Sequence, residues 1–469
     1  MRSLYGRVGK VHMSRIRKAF GELFRDKEFQ KRMINLAVPM ALASILSSSL
    51  QIVDTLMVAT LGDISVAAVG LANKLTYILS FFTAGIASGA SIFCAQYWGD
   101  KSQEGIGRTM GRSMLLLVPI TILFSLVALV CPQWVMNLFS EDPVVIAEGC
   151  LYLRWMGLAY IFQGVAALLA AALKSVERPN IPMASGIVGI VSNLILNYIF
   201  IFGKLGVPAM GVKGAAIATL LSAVLETVAI IAMAEIRKAP VGLRARDLKM
   251  PSKDFFGKYL KVTVPVLFND VGWALGVVMM AWVYSTMGTA AAAASSVYET
   301  IKGFVVVFCV SIGTAGGILL GIELGGGRRE AAEKMSRQIL CTAVLVAAVV
   351  TPVMLILINP LLLLYGEMSA QALHDLRGML VALAICFVIK SFCFNLINGI
   401  LRAGGDTKAA ATIDVGCLWG IAVPLVFLTG FVFKWNIVYV FPFTFVEEAV
   451  VLTLAFRRYR KGYWLKKLG

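Results

Sequence analysis

Residues 39–62 read PMALASILSSSLQIVDTLMVATLG, and residues 265–288, 226 positions later, read PVLFNDVGWALGVVMMAWVYSTMG. Each segment begins with a proline and ends with a two-residue turn that closes on glycine. The same interval separates Gly99 from Gly325. An ungapped repeat of this length in an apolar chain is typical of membrane transporters built from two related halves, with the substrate path between them.

The composition places the chain in a lipid bilayer. Apolar residues make up 59% and charged residues 15% of the sequence, against roughly 45–50% and 25% in soluble domains. Runs such as 114–130, 340–358 and 418–433 approach the ~20 residues that cross hydrocarbon as a helix. Because lipid-exposed backbone must form its hydrogen bonds within its own segment, helices are expected rather than barrel strands, which would alternate in polarity.

The predicted fold is an all-α integral membrane protein with twelve transmembrane helices in two pseudo-symmetric six-helix lobes. The predicted spans lie at 33–60, 66–97, 112–132, 145–172, 182–203, 214–234, 257–287, 291–322, 337–358, 372–400, 410–433 and 436–457. The predicted divisions are a basic cytoplasmic N-terminal segment (1–32), an N-lobe (33–234), a cytoplasmic linker (235–256), a C-lobe (257–457) and a basic cytoplasmic tail (458–469).

The formal charge of +17 follows membrane topology, which argues against a nucleic-acid partner. Of the 43 Lys and Arg residues, all but eight fall on the side of the membrane that holds both termini. The positive-inside rule then places both termini in the cytoplasm. The eight exceptions lie on the other side or within spans: Lys74, Arg154, Lys204, Lys213, Lys302, Arg377, Lys390 and Lys434.

The stretch from Ile16 to Met33 mixes apolar side chains near helical spacing with Lys and Arg. It is predicted either to lie on the cytoplasmic leaflet or to act as a basic flank that fixes topology. No cleavable signal peptide is expected, because these residues form no apolar core before a cleavage site. The eight cysteines include no CxxC pair, and His12 and His374 are the only histidines, so neither a disulfide framework nor a zinc site is predicted.

Short motifs recur in a fixed order through both halves. They are Pro39, Val53-Asp54-Thr55, Leu61-Gly62, 67–70, Ala95-Gln96-Tyr97 and Gly99 in the first half, and Pro265, Asn269-Asp270, 321–325 and 401–408 in the second. With these motifs the chain resembles the multidrug and toxic compound extrusion (MATE) family over nearly its whole length. The resemblance implies two lobes facing a central cavity. It also implies export of amphipathic, often cationic, small organic compounds in exchange for H⁺ or Na⁺. The expected location is a bacterial plasma membrane. A monomer with no cofactor besides the coupling ion is expected, because nothing in the sequence demands oligomerisation.

Asp54 lies well inside the first predicted span, where a charged carboxylate costs about 2.5–3.5 kcal/mol on insertion scales. A carboxylate at this depth can bind Na⁺, accept a proton or attract a cationic substrate. A carboxylate that can hold only one of these ligands at a time couples the movement of the ion to the movement of the substrate. The resemblance matches Asp54 to the acidic residue on the first helix of the family. A carboxylate that only bonds neighbouring helices is the alternative.

Asn193 and Asn197 lie four residues apart on one face of the fifth span. They are predicted either as ligands of the coupling cation or as groups that join helices by hydrogen bonds. Similar MATE sequences often have aspartate at the place of Asn197, which leaves Asp54 as the clear titratable group of a first-lobe cation site. Thr219 is a weaker candidate for an oxygen ligand.

Asp270 and Glu299 are candidate cation or substrate carboxylates in the second half. Asp270 matches an Asn-acidic pair of bacterial relatives, but it also lies close to Pro265, where a solvated interfacial position is the alternative. Glu299 is three residues from Lys302, so an internal ion pair is the first interpretation and a cavity-facing position the second.

A multidrug cavity needs adaptable apolar surface that can also make cation–π contacts. The candidates are aromatic and methionine side chains within predicted spans, and each has packing or lipid contact as its alternative. They are Tyr77, Phe81, Phe162, Trp273 and Met280.

Three other functions compete with drug export. A lipid-linked oligosaccharide flippase of the same superfamily would share the repeated architecture but would need a strongly cationic cavity. A major-facilitator transporter also has twelve spans, but the motifs fit it less well. An intramembrane enzyme is disfavoured because the chain contains no HExxH, GxSxG or phosphate-binding glycine motif.

Overall fold

The computed structural model describes residues 21–241, 253–365 and 368–468. Twelve helices in this part are long and apolar enough to cross a membrane. They are α1 (Lys27–Ala59), α2 (Asp63–Gly99), α3 (Gln103–Val130), α4 (Pro143–Ser175), α5 (Asn180–Phe202), α6 (Gly211–Ile236), α7 (Lys253–Thr286), α8 (Thr289–Gly325), α9 (Arg329–Leu364), α10 (Ala370–Arg402), α11 (Thr407–Val432) and α12 (Ile437–Arg460). The described residues form no strand, and the predicted all-α fold with twelve helices is confirmed.

Several helices extend beyond the predicted spans. Helix α3 begins at Gln103 rather than near 112, and α9 begins at Arg329 rather than near 337. The hydroxyl of Ser102 caps α3 by accepting a hydrogen bond from the Gly105 amide at 3.2 Å. Hydropathy marks only the part of a helix that lies in hydrocarbon, whereas the backbone continues as a helix through the charged turns beside it.

The sequence repeat is also a repeat of structure. Helices α2 and α8 have 37 residues each and begin 226 positions apart. The residue before each is a glycine with positive φ, Gly62 at 102° and Gly288 at 115°. Because this backbone region strongly favours glycine, both tight turns depend on it. The helices before these turns, α1 and α7, contain Pro39 and Pro265.

Two units make up the described chain. Unit 1 comprises the described residues before Pro39 together with Gly272–Leu468, and unit 2 comprises Pro39–Val271. The divisions fall inside α1 and α7, close to their prolines. The first turns of α1 therefore belong to unit 1, and the first turns of α7 belong to unit 2.

In unit 2, α5 and α6 pack with their backbones in close contact. A methyl group at Gly214 would lie 2.6 Å from the carbonyl carbon and oxygen of Phe200. Small residues at such positions let transmembrane helices approach closely. This approach brings the polar faces of α5 and α6 together.

In unit 1, the segment that precedes α1 contacts α9, and the start of α1 contacts α8. Leu23 is 4% exposed, and Asp26 accepts hydrogen bonds from Lys334 and Gln338. Arg32 donates to Glu323 at 3.3 Å. Residues 16–20 of the predicted amphipathic stretch lie outside the described residues. The described part of the stretch, residues 21–33, is thus held against the rest of unit 1 by ion pairs.

The last residues of the described chain dock on the turn between α10 and α11. Asp406 in this turn accepts hydrogen bonds from Arg458 Nε at 2.6 Å and Lys466 Nζ at 3.0 Å. Trp464 is 2% exposed, and its indole donates to the Tyr459 carbonyl at 3.1 Å. Helices α10 and α11 also contain π-helical turns, at Asn395–Arg402, Leu418–Ala422 and Phe427–Val432.

Candidate functional site

Five polar side chains of unit 2 meet where α1, α5 and α6 approach one another. We call them the Asp54 cluster: Asp54 on α1, Asn193 and Asn197 on α5, and Thr219 and Ser222 on α6. The sequence predicts four of these five as site residues. Ser222 is the addition, and it lies one turn from Thr219 on the same face of α6.

The cluster is a continuous set of hydrogen bonds. Asn197 Nδ2 donates to Asp54 Oδ1 over 2.6 Å and to Asn193 Oδ1 over 3.0 Å. Asn193 Nδ2 lies 3.3 Å from Ser222 Oγ and 3.4 Å from Thr219 Oγ1. Both asparagines are less than 5% exposed, so their polar groups depend on one another rather than on water.

The amide of Asn193 lies between Asp54 and α6. In the orientation described above, its oxygen faces Asp54. Interchanging the amide oxygen and nitrogen places Nδ2 2.8 Å from Asp54 Oδ1 and 3.3 Å from Oδ2. An amide nitrogen at this position suits an ionised carboxylate, whereas an amide oxygen suits a carboxylate that carries a proton or a bound cation.

The atoms of the cluster fit a small monovalent cation as well as a proton. Asp54 supplies one carboxylate, and Asn193, Asn197 and Thr219 supply neutral oxygens. Asn197 Oδ1 is buried without a hydrogen-bond partner when its nitrogen faces Asp54. Oxygen donors of this kind are the ligands that hard cations prefer. Within the described residues, no group of three or more His, Cys, Asp or Glu side chains is placed to hold a metal ion.

Two tyrosines of α4 extend the polar region, and the sequence predicts neither as a site residue. Tyr152 is buried close to Asp54, and its hydroxyl donates to Asn73 Oδ1 on α2 at 3.3 Å. The hydroxyl of Tyr160, also buried, lies 3.0 Å from Thr76 Oγ1. The available signal is the spacing of Asn73 and Thr76, which places two polar groups on one face of α2.

The two predicted carboxylates of the second half are not among the five residues of the Asp54 cluster. Asp270 is a half-buried residue of α7, and the Asp54 cluster forms without it. Glu299 belongs to unit 1, where Lys302 donates to it at 2.6 Å. The ion pair that was the first interpretation of Glu299 is therefore present. Its carboxylate is about half exposed, at 47%.

The five candidate cavity residues fall in both units. In unit 2, the rings of Tyr77 and Phe81 meet edge to face with centroids 4.8 Å apart, and Phe162 is half-buried. In unit 1, Trp273 is 38% exposed, whereas Met280 packs against a small core of Leu418, Ala422 and Val423. Contact with substrate stays a prediction for all five.

The chain is similar to known proteins along most of its length. The sequence profile of the MatE family matches residues 39–199 and 265–428, one segment in each half. The uncharacterized transporter YisQ of Bacillus subtilis is 24% identical over 88% of this chain and 90% of its own. The multidrug resistance protein MdtK of Edwardsiella ictaluri is 23% identical over 85% of this chain and 87% of its own.

Solved structures show the same fold. A mutant of the Vibrio cholerae MATE transporter VcmN matches with a TM-score of 0.84 at 19% identity, covering 94% of this chain and 98% of the other. A MATE protein in complex with MaL6 matches with a TM-score of 0.84 at 20% identity, covering 93% and 97%. The two segments matched by the MatE profile begin 226 positions apart, as the two halves of the sequence repeat do.

Proposed function

This chain is a member of the MatE family of multidrug efflux transporters, and on that premise we propose that it exports amphipathic, often cationic, organic compounds by cation-coupled antiport. The driving ion is H⁺ or Na⁺, the transport cycle is alternating access, and the site of action is the plasma membrane of a bacterium. Family membership favours drug efflux over the lipid-linked oligosaccharide flippase.

The observation that carries this proposal is the placement of Asp54. It is a half-buried carboxylate in an apolar helix, and two buried asparagines surround it. An ionised Asp54 attracts a cationic compound, and an Asp54 that holds H⁺ or Na⁺ does not. Because one carboxylate cannot serve both ligands at once, its occupancy couples the movement of the ion to that of the compound.

The presence of Asn197 simplifies the charge balance of the site. The Asp54 cluster contains a single carboxylate, because Asn197 contributes an amide. One monovalent ion is then enough to neutralise the cluster. We therefore propose that one H⁺ or Na⁺ enters for each monovalent organic cation that leaves, which makes the exchange electrically neutral.

The test is efflux of a fluorescent organic cation, such as ethidium, from proteoliposomes. A pH gradient and a Na⁺ gradient are imposed separately on the wild type, on Asp54→Asn and on Asp63→Asn. Asp63 is an exposed carboxylate at the start of α2, so it controls for the loss of a charge. We expect one gradient to drive efflux in the wild type and in Asp63→Asn but not in Asp54→Asn.

Two outcomes contradict the proposal. A wild type that responds to neither gradient is not a cation-coupled exporter of this compound class. Coupled efflux that survives unchanged in Asp54→Asn removes Asp54 from the mechanism.

A further inference from the structure

A line of polar side chains continues beyond the Asp54 cluster along α6. Thr219, Ser222 and Glu226 follow one another at intervals of three and four residues, which places them on one helix face. Asn193 contacts the first two of them. Glu226 lies one helical turn further on, a step of roughly 6 Å that a single water molecule can bridge.

The opposing face of α5 leaves room for the Glu226 side chain. A methyl group at Gly189 would lie 2.9 Å from Glu226 Oε2 and 3.1 Å from its Cβ. A methyl group at Gly186 would lie 4.0 Å from Glu226 Oε1. These glycines continue the face of α5 that carries Asn193 and Asn197. The carboxylate thus occupies space that any larger residue at Gly189 would fill.

Lys174 provides a positive charge that acts on Glu226. It lies at the last turn of α4, and its ammonium group interacts electrostatically with the Glu226 carboxylate. On α5, Gly186 and Gly189 lie beside Glu226 without a side chain, and on α4 the Lys174 ammonium acts on Glu226 electrostatically. Lys174 lies on the predicted cytoplasmic side, whereas Asp54 lies near the opposite end of α1.

We propose that Glu226 is a second proton-binding group of the coupling site, and that it transfers protons from Asp54 towards the cytoplasm. This inference rests on the proposed antiport and selects H⁺ as its ion. A protonated Asp54 gives up its proton through water and becomes a carboxylate. The Glu226 carboxylate accepts that proton and then releases it to water on the cytoplasmic side.

Lys174 is the reason for choosing H⁺ over Na⁺. A sodium ion that reached Glu226 would enter the field of the Lys174 ammonium group, which repels it. A proton need not pass the ammonium as a separate ion, because it is transferred between a carboxylate and water. The ammonium group then attracts the carboxylate that the departing proton leaves behind.

The test compares Glu226→Gln and Glu226→Asp with the wild type in proteoliposomes at a series of internal pH values. Glutamine keeps the size of the side chain but cannot carry the proton, so we expect efflux driven by a pH gradient to slow about tenfold or more. Aspartate is expected to keep efflux but to shift its dependence on internal pH. Glu235→Gln, an exposed position on the same helix, is the matched control and should behave as the wild type.

Measurements of equilibrium binding distinguish a role of Glu226 in proton transfer from a role in helix packing. In Glu226→Gln, binding of the organic cation and its displacement by acid should match the wild type, because Asp54 is intact. Should Glu226→Gln fail to accumulate, Lys174→Gln tests the same step and is expected to slow efflux and shift its internal-pH profile. If efflux by the variant that is tested, Glu226→Gln or Lys174→Gln, depends on internal pH as the wild type does, the inference is overturned.

The failure of this inference is distinguishable from failure of the proposed antiport. If the wild type responds to neither gradient, the antiport itself fails. If efflux is coupled and is lost in Asp54→Asn, but Glu226→Gln keeps the wild-type rate and profile, only the role of Glu226 fails. Efflux driven by a Na⁺ gradient alone also overturns the choice of H⁺.

Discussion

Asn197 Nδ2 lies 2.6 Å from Asp54 Oδ1, and this hydrogen bond joins α5 to α1 inside unit 2. The same amide nitrogen donates to Asn193, whose own amide reaches α6. A change in the charge of Asp54 therefore alters the hydrogen bonding of three helices. This linkage makes Asn197 the partner whose loss is most informative about Asp54.

Asn197→Leu is expected to lower the rate of ion-driven efflux while leaving the protein folded. Leucine has a similar size but no amide donor, and a hydrogen bond to a charged group contributes about 1.5–3 kcal/mol. Without this donor the ionised form of Asp54 is less favoured, so release of its bound ion is expected to slow by about tenfold or more. The measurement is the initial rate of efflux from proteoliposomes. Asn180→Leu, an exposed position on the same helix, is the control, and an equal loss in both variants would count against a specific role.

Gly214→Ala is expected to destabilise unit 2. The added methyl group would meet the backbone of Phe200 at 2.6 Å, and backbone atoms of a packed helix cannot move aside cheaply. Overpacking of this kind costs about 1–3 kcal/mol. The measurement is thermal unfolding in detergent. Gly70→Ala is the matched control, because no atom lies within 4 Å of the added methyl group there, and alanine favours the helix.

Asp406→Asn is expected to release the end of the chain from the α10–α11 turn. Burial alone would raise the pKa of Asp406, but its hydrogen bonds to Arg458 and Lys466 outweigh burial and hold that pKa below its usual value. Losing these charge-assisted bonds should cost on the order of 2 kcal/mol. Limited digestion with trypsin should then cleave faster after Lys461 and Lys466. Glu330→Gln, at an exposed carboxylate, should not change the digestion, and equal rates in both variants would contradict the role of Asp406.

The contacts of Asp26 predict a loss of stability in acid. The hydrogen bond from Lys334, helped by those from the Phe29 amide and Gln338, lowers the pKa of Asp26 to about 2 against the opposing effect of burial. Because the unfolded chain takes up this proton at higher pH than the folded chain, the stabilisation is present above about pH 4 and is lost as the pH falls towards 2. Melting temperatures of the wild type and Asp26→Asn should differ at pH 5 and converge through this range. A difference that stays constant with pH would refute the assignment.

Hydropathy predicts the twelve helices because each must bury its backbone in hydrocarbon, but it does not predict where the helices end. The charged first turns of α3 and α9 are helical although they lie outside the apolar runs. The π-helical turns of α10 and α11 have no recognised pattern in the sequence. The hydrophobic pattern of a helix does not distinguish a π-helical turn from an α-helical one.

The Asp54 cluster is predicted in large part because polar side chains inside apolar spans are expensive and therefore conspicuous. Asp54, Asn193 and Asn197 stand out for this reason. Ser222 does not, because a serine usually satisfies its hydroxyl on its own helix. Tyr152 does not, because a tyrosine fits an apolar core by most of its surface. Glu226 is visible in the sequence, but its alignment with the cluster depends on how α5 and α6 pack.

The ion pair between Arg32 and Glu323 joins residues 291 positions apart. A ribosome adds about 5–20 residues each second, so α1 emerges roughly 15–60 s before its partner exists. During that interval, lipid headgroups and water must solvate the charged start of α1. Unit 2, whose residues are contiguous, can meanwhile be completed during translation. The start of α1 can take its position in unit 1 only after the second half of the chain has been synthesised.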